Sequence, residues 1–124
     1  MPTEKERLKS LLPRDREINI SVIGRKSGKA ISRPAWFVFE GDGLYLLPVH
    51  GSKTQWYENL QRNRWIQVST RSATAEFEAT LITEPEVVSS VAEKFRQKYG
   101  TGDVKKYYSK FDVAASVDFS DGGK

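Results

Sequence analysis

Apolar and polar residues alternate through Ile18-Asn19-Ile20-Ser21-Val22-Ile23, the period of a half-buried strand. A second, longer strand runs from Ala30 to Phe39, with Pro34 suggesting an edge or a bulge. Gly41-Asp42-Gly43 is a hairpin signal leading into Leu44-Tyr45-Leu46-Leu47-Pro48-Val49. Trp65–Thr70 and Thr74–Ile82 form a further pair across Arg71-Ser72-Ala73, and Val113–Phe119 reads as a last strand. Helical spacing separates these runs. Thr3 and Glu6 stand at capping-box distance before Leu8, Leu11 and Leu12, and Pro13 stops that helix. Trp56, Tyr57 and Leu60 give Gln55–Asn63 an apolar face. Thr83 and Glu86 repeat the capping box, with Pro85 in the first turn of a helix striped by Val88, Val91, Ala92, Phe95 and Tyr99. Gly100-Thr101-Gly102 breaks it, and a short amphipathic segment follows over Asp103–Phe111.

The pattern therefore predicts a mainly β, α+β protein: a small, six-stranded, mostly antiparallel barrel with short peripheral helices. Three consecutive hairpin-like connections oppose a doubly wound parallel sheet, which needs crossover helices throughout. Closing the sheet into a small barrel is the natural solution. Residues 1–124 are expected to form one domain, with 1–16 as an N-terminal helical extension and 120–124 as a disordered tail.

Composition narrows the chemistry. The 124 residues contain no Cys and one His, His50, which excludes disulfides, thiolate catalysis and thiolate metal sites and leaves little for a His-based one. No metal site is expected. No apolar run approaches the ~20 residues of a membrane span. The N-terminus is charged, without a signal-peptide apolar region, so the expected location is the cytoplasm. Up to Lys53 there are ten Lys and Arg against six Asp and Glu, whereas from Thr54 onward the counts are ten and ten. The whole net charge of +4 thus sits in the first half.

Its centre is Gly24-Arg25-Lys26-Ser27-Gly28-Lys29, three cations and two glycines between two strands. Such a turn concentrates N–H groups and positive charge where a phosphate or carboxylate would sit. It is no P-loop: three residues, not four, separate the glycines, Ala30 follows the lysine, and the segment joins strand to strand. On the turn alone, a solvated hairpin with incidental charges is as good a reading. A second segment, His50-Gly51-Ser52-Lys53, stands just before a helix, where free N–H groups favour an anion. Aromatics on a short amphipathic helix, Trp56 and Tyr57 here, are usually core, and Asn59 reads as a local cap. A third segment, Tyr107-Tyr108, offers phenols that could protonate a substrate, although neighbouring tyrosines on a short helix often mean one packed and one exposed.

Taken in order, Gly24-Arg25-Lys26-Ser27-Gly28-Lys29 leading to Pro34, then Gly41-Asp42-Gly43-Leu44-Tyr45-Leu46, then Trp56-Tyr57-Glu58-Asn59-Leu60 with Asn63, resemble the deazaflavin-dependent nitroreductase family. The resemblance covers roughly residues 18–79. Arg64 stands where that family usually has proline, and His50 stands in a loop where small residues are common. The resemblance implies a pyridoxamine-phosphate-oxidase-like split barrel that binds reduced coenzyme F420 and transfers hydride to a quinone, nitro compound or enone. It implies that Arg25, Lys26, Lys29 and Arg33 meet the cofactor's acidic tail, with Ser27 in the same turn. Pro48, Val49, Gly51, Ser52 and Lys53 would line the ring and phosphate pocket, supported by Trp56 and Asn59. His50, Tyr107 and Tyr108 are the groups it places near the substrate. Barrels of this type often pair as homodimers. The alternatives are FMN in the same barrel, or a non-catalytic barrel binding a ligand or nucleic acid; the charge of +4 is small for the latter, and no nucleic-acid partner is expected.

Overall fold

A computed structural model describes residues 3–120; the predicted tail beyond Ser120 lies outside the described residues. Among them, eight strands form two four-stranded antiparallel sheets, with four α-helices. One sheet has the order β2-β1-β5-β6, from β1 (Ile18–Ile23), β2 (Ala30–Ala35), β5 (Trp65–Thr70) and β6 (Ala73–Glu78). The other has the order β3-β4-β8-β7, from β3 (Val38–Glu40), β4 (Gly43–Leu46), β7 (Thr80–Ile82) and β8 (Ala114–Asp118).

This corrects the expectation of six strands in one barrel. Each of the two long predicted strands contributes to both sheets. Ala30–Phe39 breaks at Trp36-Phe37, so that β2 pairs with β1 while β3 pairs with β4. The segment to Ile82 breaks at Ala79, whose N–H donates to Arg64 O at 2.8 Å. Strands that switch sheets at a bend are how two packed sheets make a corner.

Tyr99 holds the first corner. Its hydroxyl accepts from Phe37 N at 3.0 Å and lies 2.9 Å from Phe37 O and 2.7 Å from Arg16 O. Burial pushes the phenol up to about 12, the Phe37 hydrogen bond acting the other way.

The alternation read from the sequence sets the core. Ile18, Ile20 and Val22 of β1 and Ile66 and Val68 of β5 point inward beside Leu44, Leu46 and Phe119. Each such side chain contributes about 1.5–3 kcal/mol by leaving water. Helix α1 (Glu4–Leu11) closes this cluster with Leu8, and the predicted Thr3–Glu6 capping box is formed. Helix α2 (Gln55–Arg62) adds Leu60, and α3 (Pro85–Tyr99) covers a second cluster through Val88, Val91, Ala92 and Phe95. The second capping box is absent: the helix starts at Pro85, so Glu84 rather than Thr83 is the N-cap, Glu86 falls one position short of N3, and no side-chain cap bond forms. Gly100, at φ +98°, separates α3 from α4 (Thr101–Tyr107).

Candidate functional site

The basic turn is fastened to α2 by Asn59. Its buried side-chain oxygen accepts from Arg25 N at 3.0 Å and Arg25 Nη1 at 2.8 Å. Arg25 Nη2 reaches Gln55 Oε1 at 3.1 Å and Glu58 Oε1 at 3.0 Å. Arg25 is thus largely committed to holding the turn, and Asn59, read from sequence as a cap, serves as the acceptor. Gly24 N–H donates to Lys29 O and Gly28 N–H to Gly24 O, closing the turn. Among the described residues no partner meets the N–H groups of Lys26 and Ser27.

Beside this turn opens a cavity of about 920 Å³. It follows the face of β1 and β2 that carries Val22, Ile31, Arg33 and Ala35 and ends at Trp36. From Ile31 to Ala35 an extended chain covers roughly 13 Å, long enough to give the cavity two ends. At one end lie Lys26 and Ser27 with Gln55, Trp56 and Asn59 of α2, and Lys53, in the short turn before α2, joins the two ends, its N–H donating to His50 O at 3.2 Å. At the other stand Trp36, Leu47, Val49, His50, Tyr107 and Tyr108. Lys26, Arg33 and Lys53 form no ion pair with any described residue, and Glu17 is the one carboxylate among the lining side chains.

The residues read from sequence are therefore largely brought together. Arg25, Lys26, Ser27, Arg33, Val49, Lys53, Trp56 and Asn59 line the cavity, as do His50, Tyr107 and Tyr108. Lys29, Pro48, Gly51 and Ser52 do not. Lys29 is exposed beyond the turn, while Pro48 is buried and its carbonyl accepts from Gly51 N–H at 3.1 Å. The anion expected at Gly51-Ser52 is internal: Asp112 accepts from Ser52 N at 3.0 Å and Ser52 Oγ at 2.7 Å. Burial raises the Asp112 carboxyl, but the Ser52 bonds outweigh it and hold the group below its ordinary range.

Sequence reasoning missed Trp36. Its ring stacks on Tyr99 at 4.2 Å and 6° and meets Tyr107 edge-on at 5.6 Å. It lies in the corner between β2 and β3, which no local signal marks. The tyrosine pair divides as the sequence suggests, Tyr108 buried and Tyr107 about half exposed at 53%. Burial raises the Tyr108 phenol, so it stays protonated, and its hydroxyl meets no hydrogen-bond partner among the described residues. Among the described residues no group of His, Cys, Asp or Glu gathers as a metal site would, and no helix is long and apolar enough to cross a membrane.

Residues 10–117 match the family described as an uncharacterized protein conserved in bacteria (DUF2255), and the chain belongs to it. No curated protein matches the sequence. Solved structures do share the fold. An F420-H2 dependent reductase (FDR-A) is 18% identical, with a TM-score of 0.65 over 83% of this chain and 94% of that one. HutZ, the heme storage protein from Vibrio cholerae, is 14% identical, with a TM-score of 0.69 over 94% and 90%. A candidate pyridoxamine 5′-phosphate oxidase from Listeria innocua is 13% identical, with a TM-score of 0.67 over 91% and 90%. At such identities the likeness establishes the architecture, and it agrees with the resemblance read from the sequence.

Proposed function

We propose that the protein is an oxidoreductase that binds reduced coenzyme F420 and passes hydride to a quinone, nitro compound or enone. One observation carries the reading: a cavity of about 920 Å³ is lined both by cations without ion pairs, Lys26, Arg33 and Lys53, and by the aromatic rings of Trp36, Trp56, Tyr107 and Tyr108. Its size lies in the range of small-molecule sites. The cations suit a ligand with an anionic tail and a flat ring, and the F420-H2 dependent reductase of the same fold adds weight.

When bound, the cofactor supplies the hydride chemistry. The chain's part is to bind and orient. Lys26, Arg33 and Lys53 hold the tail, with the free N–H groups of Lys26 and Ser27. Arg25 and Asn59 keep the turn in place with Trp56 beside them, and Trp36 and Val49 line the ring end. Tyr108, protonated and without an internal partner, holds a proton beside the acceptor, with His50 and Tyr107 at the same end. A second protomer of the chain completes the assembly as a homodimer in this reading.

The test is thermal unfolding with F420, FMN, FAD or heme, followed by turnover with a quinone and a nitroaromatic. The proposal expects the largest rise in Tm with F420 and oxidation of the reduced cofactor by one acceptor class. A rise with FMN alone would move the activity to a flavin enzyme of the same barrel. No rise with any of the four would refute both.

A further inference from the structure

His50 is pinned twice. Its backbone N–H donates to Thr54 Oγ1 at 2.8 Å, and its backbone pairs with Lys110 in an isolated parallel bridge. Its ring Nδ1 lies 3.0 Å from Ser109 Oγ. The same Ser109 oxygen lies 3.2 Å from Val49 O, which also accepts Ser109 N–H at 2.8 Å.

A serine hydroxyl carries one proton, and a carbonyl can only accept. For both contacts of Ser109 Oγ to be hydrogen bonds, its proton must point to Val49 O and its lone pair must accept from Nδ1–H. That arrangement puts the imidazole proton on Nδ1 and leaves Nε2 with a free lone pair, since the bond at one ring nitrogen sets the state of the other. His50 lines the cavity, beside Val49 and Tyr108.

We propose that Ser109 is a positioning residue that holds neutral His50 as the Nδ1–H tautomer, so that Nε2 accepts a hydrogen bond from an N–H or O–H group of the ligand. The ligand's identity rests on the reading above; the tautomer does not. A flavin or deazaflavin ring offers such a donor in the imide N–H at N3, between two carbonyls. Lining that edge with an acceptor selects the unsubstituted imide. The assignment also gives Ser109, which lies outside every motif read from the sequence, a definite part in the site.

With one histidine in the chain, a ¹⁵N-histidine-labelled sample gives a single pair of ring signals. At a pH where the ring is neutral, the wild type should show a pyrrole-type Nδ1 and a pyridine-type Nε2. Ser109→Ala should lose that preference, and Ser109→Thr, which keeps the hydroxyl, should retain it. Nε2–H in the wild type, or no change in S109A, would overturn the proposal. Binding of F420 and FMN, each beside its N3-methyl form, reads the ligand side. The wild type should favour the free imide by about tenfold, the size of one neutral hydrogen bond. S109A should lose that margin. Equal binding of both forms to the wild type would refute the imide contact. If none of the four binds, the cofactor reading falls, and the tautomer measurement alone decides the role of Ser109.

Discussion

Replacing Gly51 with alanine tests the account of the loop before α2. Gly51 has φ +59°, and a Cβ there would overlap Asp112 Oδ1. The left-handed conformation alone costs an L-residue roughly 1–2 kcal/mol. Displacing Asp112 gives up its two bonds from Ser52, at about 1 kcal/mol each for a carboxylate that is about a third exposed. Gly51→Ala should therefore destabilise the protein by about 3–4 kcal/mol, a large part of the ~5–15 kcal/mol typical of a domain. Urea unfolding of wild type, G51A, D112A and the double variant separates the terms. In the D112A background, where the Asp112 overlap and the Ser52 bonds are gone and the flexible Lys110 stem is the remaining close neighbour of the new Cβ, G51A should cost little beyond the roughly 1–2 kcal/mol of backbone strain. Equal cost of G51A in both backgrounds would refute the reasoning, because Asp112 would then not be the anion that this turn holds.

Two further outcomes follow from other contacts. Asn59→Ala leaves Arg25 N–H without its acceptor in a part-buried position and frees the guanidinium; a loss of about 2–3 kcal/mol in urea unfolding is expected, with weaker cofactor binding, and an unchanged midpoint would contradict the anchoring role. Lys98 donates to Phe37 O at 2.8 Å, and burial, assisted by Arg16, lowers its amine to about 8 from 10.5. Between those values the unfolded chain binds more protons, so wild-type stability should rise relative to Lys98→Met as the pH goes from 8 to 10.5. The effect is modest because the group is partly solvated, and a falling or flat difference would reverse the sign of the argument.

What the sequence made legible is local. The β1–turn–β2 hairpin, the Gly41–Gly43 turn and the Thr3–Glu6 cap each rest on residues within a few positions of one another, and the structure contains all three. The missed features depend on distant partners. The break at Trp36-Phe37 carries neither Gly nor Pro, and Tyr99, 62 positions away, holds it. Asp112 meets Ser52 across 60 positions, so an anion site predicted from loop and helix alone could not include the carboxylate that fills it. Asn59 finds Arg25 across 34 positions, which turns a nominal cap into the anchor of the basic turn. Trp36 enters the cavity only because the strand changes sheets beside it.

The central claim is that the cations along this cavity hold the acidic tail of a ring cofactor. Its most direct test is titration of wild type, Lys26→Glu and Lys53→Glu with reduced F420 at low salt, followed by calorimetry. The account predicts saturable binding to the wild type. Each reversal should weaken it by at least about tenfold, or about 1.4 kcal/mol, and added salt should weaken it further. No binding to the wild type, or equal binding by all three proteins, would contradict it.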